Sequence, residues 1–292
     1  MRVGVVDIGT NSMRLLITDG QVEVGRWVEV TGLGQGVDDT RVLPPEGVER
    51  TLVALTGFGR LMDETAVAER AAIATSATRD AANRDQFLER AGEALGVIPN
   101  VVSGEREGRL AYAGATSDLT GGSARIVSDI GGGSTEFVSE SGVFSVDIGS
   151  VRLTDRVLPN RPPGTDELRA ARAHVSGLFA RAPLAVGSEV VGVAGTWTSL
   201  AAIDLGLPAY RGARVHHHRI TRPALAELTA NLASMTVART AEIAALDPAR
   251  APVILAGAIV AESVLDTLAA GSVLVSERDS LDGLASELLG LP

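Results

Sequence analysis

Two short segments combine a carboxylate with glycines and hydroxyl groups. They are Asp129-Ile-Gly-Gly-Gly-Ser-Thr-Glu136 and Asp7-Ile-Gly-Thr-Asn-Ser12, and each follows an apolar run. An apolar run, a glycine turn and a second β-prone run predict strand, turn and strand. Glycines let backbone N–H groups approach a phosphate, and a carboxylate at a strand end offers hard oxygen to Mg²⁺. A Gly-Gly-Gly run alone is most often an ordinary turn, but these neighbours indicate phosphate and metal binding.

The two segments are copies of one longer pattern. Asp7 aligns with Asp129 and Ser12 with Ser134, and two further β-prone runs follow in each copy. The repeat predicts an internal duplication in which each half begins with a three-strand meander. Because α/β proteins commonly bind phosphates where such turns meet, we expect both turns to line one cleft. At least one of the two like-charged carboxylates would then depend on a cation to stay ionised, so Mg²⁺ should stabilise the fold.

Five motifs in order resemble the exopolyphosphatase and guanosine pentaphosphate phosphohydrolase family of the actin, sugar-kinase and heat-shock ATPase superfamily. Besides the two segments above, they are Ala74-Thr-Ser-Ala-Thr-Arg-Asp-Ala-Ala-Asn83, Ser103-Gly-Glu-Arg-Glu-Gly-Arg-Leu110 and Gly195-Thr-Trp-Thr-Ser-Leu200. The resemblance runs nearly end to end. It implies an α/β fold of two ribonuclease-H-like domains with the active-site cleft between them. With a polar joint at 118–123, we expect domains at 1–120 and 121–292, and a terminal helix at about 281–290 that packs on the first domain.

The resemblance also implies the site residues. The catalytic base is Glu107, with Glu105 the less favoured alternative, and Mg²⁺, or Mn²⁺, is held by Asp7, Asp129 and Glu136. The expected phosphate-binding residues are Asn11, Ser12, Arg79, Gly132, Gly133, Ser134, Thr135, Gly149, Ser150, Gly195 and Thr196. From the residues alone, Arg79 and Glu107 could equally serve as ordinary helix-start charges, and Gly149-Ser150 as an ordinary helix start.

The activity implied is release of the terminal phosphate of inorganic polyphosphate. Guanosine pentaphosphate hydrolysis is the first alternative, because a purine pocket cannot be read from these motifs. A catalytically weak polyphosphate-binding paralogue is the second. It is favoured by Asp279-Ser-Leu-Asp-Gly283, where the family usually has Gly-Leu-Arg-Glu-Gly. Longer relatives append a helical domain, so we expect this chain to act on short polyphosphate and, like its family, to form a homodimer.

Composition limits the partners. Lys plus Arg number 26 against 36 Asp plus Glu, so the formal charge of −10 gives no broad basic surface for nucleic acid or anionic lipid. The longest apolar run, 251–261, is too short to span a bilayer, and cysteine is absent. We therefore expect a cytoplasmic protein with no membrane or nucleic-acid partner. His216-His-His218 receives no role, because consecutive residues in a strand or helix do not converge on one ion.

Regular elements must position these residues. Apolar periodicity predicts strands at 2–8, 13–19, 22–30, 71–75, 97–102, 189–193 and 273–276. It predicts helices from Pro45, at 83–95, after Ser103 as N-cap, after Gly149, after Thr165 as N-cap, after Gly195, and at 222–234, 238–246, 251–269 and 281–289. The glycine-rich stretch 31–39 is interpreted as a loop.

Overall fold

The computed structural model describes residues 1–121, 124–182 and 188–291. Its strands are β1 (Val3–Ile8), β2 (Ser12–Thr18), β3 (Glu23–Val30), β4 (Glu69–Ala74), β5 (Asn100–Val101), β6 (Arg125–Ile130), β7 (Thr135–Ser139), β8 (Gly142–Val146), β9 (Glu189–Val193), β10 (Arg219–Thr221) and β11 (Ser272–Val275). Its helices are α1 (Val37–Thr40), α2 (Pro45–Glu64), α3 (Ser76–Asp80), α4 (Arg84–Leu95), α5 (Gly104–Thr116), α6 (Ser150–Val157), α7 (Thr165–Phe179), α8 (Ala194–Asp204), α9 (Gly212–Val215), α10 (Arg222–Ala233), α11 (Val237–Ala241), α12 (Ile254–Thr267) and α13 (Ser280–Leu289), with a 3₁₀ turn at Pro248–Arg250.

The chain divides into two compact units. The first contains Met1–Ser117 and the segment from Asp279 onward, and the second contains Asp118–Arg278. The C-terminal helix α13 therefore belongs to the first unit. The expected range 121–292 counted this helix with the second domain, although it was expected to pack on the first. Of the polar joint expected at 118–123, residues 122 and 123 lie outside the described residues.

The first unit is a five-stranded sheet with helices on both faces. Its strand order is β3-β2-β1-β4-β5, in which β1, β2 and β3 pair antiparallel and β4 runs parallel to β1. Val6 and Ile8 share a core with α2 and α4, whereas Val3 and Val5 share another with α5 and α13. Because side chains alternate along a strand, Asp7 lies on the α5 and α13 face.

Helices α5 and α13 pack backbone against backbone on that face. A Cβ at Gly283 would lie 2.9 Å from the carbonyl carbon of Leu110 and nearer still to its oxygen. A Cβ at Gly114 would likewise lie 2.8 Å from the carbonyl carbon of Asp279. Both positions therefore require glycine, and the contact fixes α13 against the helix that carries Glu107.

The second unit repeats the opening of the first. Its sheet order is β10-β11-β9-β6-β7-β8, and β6, β7 and β8 form an antiparallel meander like that of β1 to β3. The turns also match, since Gly9 N donates to Ser12 O at 3.1 Å and Gly131 N donates to Ser134 O at 3.0 Å. The predicted meander in each half is confirmed.

Most element predictions agree with the structure, and the exceptions have local causes. The stretch 31–39 ends in the short helix α1, and the strand expected at 97–102 pairs only at Asn100–Val101. Asp247 accepts from Ala249 N at 2.9 Å and starts the 3₁₀ turn, so α12 begins later than predicted, and α11 already ends at Ala241. Gly164, one residue before Thr165, is the N-cap of α7, and its N–H donates to Glu167 Oε2 at 2.6 Å. No helix among the described residues is long and apolar enough to cross a membrane.

Candidate active site

Glu107 is fixed in the first turn of α5. Ser103 is the N-cap, as predicted, and its Oγ accepts from Arg106 N at 3.2 Å, while Glu107 N donates to Ser103 O at 2.9 Å. The side chain points inward and only 8% of the residue is exposed. Glu105 instead lies on the exposed side and pairs with Arg109 at 2.9 Å. The two glutamates are thus distinguished by burial, and Glu107 is the one held in place.

Arg79 lies beside Glu107 although 28 residues separate them in the chain. It comes from the last turn of α3, and its Nη1 donates to Val102 O at 2.9 Å and lies 3.8 Å from Glu107 Oε2. The structure therefore brings the predicted base and a predicted phosphate ligand together within the first unit. A carboxylate that can accept a proton therefore lies next to a guanidinium that can donate hydrogen bonds to phosphate.

The first glycine turn is tied to the same region. Thr10 Oγ1 lies 2.8 Å from Ser76 Oγ, which joins the turn to α3, the helix of Arg79. The carbonyl of Asn11 accepts from Thr31 N at 3.0 Å and Gly32 N at 2.9 Å. These two bonds fix the first glycine turn to the loop that begins at Thr31.

Asp7 already has a cationic side chain beside it. Arg14 is its partner across β1 and β2, and the two side chains form a salt bridge through Asp7 Oδ2. Ser280 Oγ of α13 donates to the same oxygen at 2.8 Å. The other oxygen, Oδ1, is buried and has no hydrogen-bond partner among the described residues. The carboxylate is therefore neutralised on one side only.

The equivalent cross-strand pair in the second half consists of two carboxylates, whereas the first half pairs a carboxylate with a guanidinium. Asp129 and Glu136 are direct cross-strand partners and are 3% and 0% exposed. Ser145 Oγ donates to Glu136 Oε1 at 2.8 Å. The duplication therefore places Glu136 where the first half has Arg14. Two adjoining buried carboxylates offer the hard oxygen ligands that Mg²⁺ and Mn²⁺ take, so this donor set fits the expected cation.

The second glycine turn uses some of the predicted phosphate donors inside the protein. The N–H groups of Ser150, Val151 and Arg152 donate to the carbonyls of Gly131 and Gly132 at 2.9 to 3.1 Å. A Cβ at Gly149 would lie 2.6 Å from the carbonyl carbon of Gly132. Gly149 and the first residues of α6 therefore pack on the turn, and the backbone N–H of Ser150 is used inside the protein. The buried Thr135 hydroxyl donates to Ile148 O at 2.6 Å and is likewise used inside the protein.

Gly195 and Thr196 form the first turn of α8, after Ala194 in the left-handed region at φ 67°. The guanidinium of Arg250 lies directly against Gly195, where a Cβ would be 2.7 Å from Cζ. Arg250 was not among the residues expected from the sequence. Gly195 was the available signal, since a residue without a Cβ at a helix start allows another group to approach closely.

His216 and His217 converge, contrary to the sequence argument, because His217 adopts φ 63° outside any strand or helix. Their rings stack at 3.8 Å, and both approach Asp118. Glu277 N donates to His216 Nδ1 at 3.1 Å, so the proton of the neutral ring is on Nε2, which donates to Asp118 Oδ2 at 2.9 Å. This tautomer leaves no Nε2 lone pair for a metal, and the cluster remains without an assigned role.

The unusual segment Asp279–Gly283 forms the start of α13. Asp279 is the N-cap and accepts from Leu281 N at 3.0 Å, and Asp282 accepts from Asp279 N at 2.9 Å. Arg26 donates to Asp282 at 2.8 Å, and burial raises the pKa of Asp282 in spite of this charge. The segment therefore takes part in a charge network of the first unit.

Comparisons with known proteins agree on one family. A profile of the Ppx/GppA phosphatase family matches residues 17–290. Exopolyphosphatase 2 of Mycobacterium tuberculosis is 39% identical, with 99% of each chain covered. A solved structure described as an exopolyphosphatase-like protein is 34% identical with a TM-score of 0.93, and 99% of each chain is covered. An Aquifex aeolicus member of the Ppx/GppA family is 31% identical with a TM-score of 0.82, covering 99% of this chain and 98% of that one.

Proposed function

The chain belongs to the Ppx/GppA phosphatase family, and from this premise we propose that it hydrolyses the terminal phosphoric anhydride of inorganic polyphosphate with a divalent cation. The fold is the two-domain actin-like fold of that family, and the chain is a hydrolase. A relative that is named an exopolyphosphatase and that matches this chain over 99% of both sequences supports the choice of substrate.

The geometry of Glu107 is the observation that carries the proposal. Glu107 is a buried carboxylate in a capped helix start, 3.8 Å from the guanidinium of Arg79, and this rigid placement supports a role as general base. Glu107 accepts a proton from the attacking water. Arg79 donates to a phosphate oxygen and keeps the reacting group near that base.

Asp129 and Glu136 would hold the cation. When bound, Mg²⁺ neutralises charge on the phosphoryl group and its leaving oxygen. Their fixed cross-strand register presents both carboxylates on one face, which orients them before any ligand arrives. Asp7 Oδ1 is the further oxygen available in the first half.

Backbone donors and short polar side chains would hold the phosphate chain. Those retained from the sequence analysis are Asn11, Ser12, Gly132, Gly133, Ser134, Gly149, Gly195 and Thr196. Arg250, lying against Gly195, adds a positive group to that turn. Such local donors are needed because the chain has a formal charge of −10.

A substrate panel tests the proposal. Phosphate release is measured from polyphosphates of several lengths and from guanosine pentaphosphate, each with Mg²⁺, Mn²⁺ and EDTA. We expect metal-dependent release from polyphosphate with a higher kcat/KM than from the nucleotide. A higher kcat/KM for guanosine pentaphosphate would replace the substrate assignment. Tight polyphosphate binding without release under any metal would establish a binding protein instead.

A further inference from the structure

Five charged side chains form a buried network beside α13 in the first unit. Arg14 bridges Asp7 and Asp279, and Arg26 contacts Asp282 and lies 4.0 Å from Asp279. Asp7, Asp279 and Asp282 thus outnumber the two guanidinium groups by one negative charge. The three carboxylates are little exposed, between 4% and 17% of each side chain.

The two oxygens of Asp7 have different surroundings. Oδ2 accepts from both Arg14 Nη2 and Ser280 Oγ, the latter at 2.8 Å. Arg14 Nη2 also lies 3.0 Å from Ser280 Oγ and donates to it, so the hydroxyl proton is directed to Asp7. Oδ1 is buried and accepts no hydrogen bond from any residue in the described ranges. An unmet buried carboxylate oxygen is costly, and a cation or a water bound to one would satisfy it.

Ser280 is itself rigidly placed. It is the first residue of α13, fully buried, directly after the N-cap Asp279, whose carboxylate accepts from Leu281 N. The backbone contact between Gly283 and Leu110 prevents α13 from shifting along α5. The hydroxyl therefore acts on Asp7 from a fixed position, and the rotation of the carboxylate is set by α13.

We propose that Ser280 is a positioning residue that, together with Arg14, turns Asp7 so that Oδ1 is presented to a hydrated divalent cation. This inference rests on the proposed function only for what the cation does in the reaction. The binding of the cation at Asp7 does not depend on that function. Arg14 pairs with Oδ2, and Oδ1 is the oxygen of Asp7 that has no hydrogen-bond donor among the described residues.

Mn²⁺ binding to the full chain without substrate tests the inference. The free ion is counted by electron paramagnetic resonance for wild type, Ser280→Ala and Ser286→Ala, the last being the same change in the same helix away from Asp7. We expect the Kd of Ser280→Ala to rise roughly tenfold, which corresponds to about 1.4 kcal/mol, and that of Ser286→Ala to stay unchanged. In turnover assays, the Mg²⁺ concentration for half-maximal rate rises by a similar factor, and saturating Mg²⁺ restores the rate.

A double-mutant cycle separates positioning from general damage. If Ser280 acts through Asp7, adding Ser280→Ala to Asp7→Asn weakens Mn²⁺ binding no further than Asp7→Asn alone. Additive losses, unchanged affinity in Ser280→Ala, or an equal loss in Ser286→Ala would overturn the inference. Ser280-dependent Mn²⁺ binding in a protein that releases no phosphate from polyphosphate would instead overturn the proposed function and leave this inference standing.

Discussion

Replacing Gly283 with alanine should separate the two helices that carry Glu107 and Ser280. The new Cβ would lie 2.9 Å from the carbonyl carbon of Leu110 and 3.0 Å from its Cα, and closer to its oxygen. Van der Waals contact requires about 3.5 Å or more, and the obstacle is backbone that cannot rotate away. Overpacking of this kind costs about 1–3 kcal/mol, while the better helix propensity of alanine returns about 1 kcal/mol.

We therefore expect Gly283→Ala to lower the free energy of unfolding by up to about 2 kcal/mol, with a Tm lower by roughly 2–4 °C per kcal/mol. Gly57→Ala in α2 is the matched control, because a Cβ there meets nothing within 4 Å. That control should be stabilised by about 0.5–1 kcal/mol. Denaturant titration gives both values. If both variants shifted in the same direction by the same amount, the close contact of α5 and α13 would be refuted.

Three further variants probe the site and the charges. Arg79→Ala should lower kcat/KM about 10- to 100-fold through loss of a charged hydrogen bond to phosphate, and Arg79→Lys should recover only part of it; unchanged kinetics would remove Arg79 from the site. Mg²⁺ at a hundredfold excess over its Kd should stabilise wild type by about 2.7 kcal/mol, and Glu136→Gln should lose most of that shift in calorimetry. Burial raises the pKa of Glu262 against the opposing charge of Arg172, so this carboxyl stabilises the fold below its unfolded pKa and loses that contribution as pH rises through its folded pKa. Wild type should therefore lose stability relative to Glu262→Gln as pH rises above the unfolded pKa of about 4.3, and a constant difference would contradict this.

The turns and the meanders could be predicted because their signals are local. Val and Ile runs broken by glycine define strands, and the repeat of Asp7 to Ser12 at Asp129 to Ser134 reveals the duplication. Ser103 could be predicted as an N-cap for the same reason. The roles of Arg79 and Glu107 came from the resemblance, and the structure adds that the two side chains adjoin.

The surroundings of Asp7 could not be predicted, because they depend on contacts across the chain. Ser280 is 273 residues away and meets Asp7 only because α13 packs on β1. The pairing with Arg14 had a signal that went unused, since the duplication aligns Arg14 with Glu136 and so reverses the charge. At the N-terminus of α6, the N–H of Ser150, which the sequence analysis assigns to phosphate, instead donates to the carbonyl of Gly131, a contact that no local sequence signal shows.

Phosphate release by Glu107→Gln decides whether Glu107 is the general base. Wild type, Glu107→Gln and Glu105→Gln are compared on polyphosphate at saturating Mg²⁺, and thermal melting verifies that each variant is folded. Glu105 lies two residues before Glu107, but it is exposed and paired with Arg109, so its variant should retain turnover. Glu107→Gln should lose roughly 10²-fold or more, as expected for a positioned general base. Turnover near that of wild type in a folded Glu107→Gln protein would show that Glu107 is not the general base.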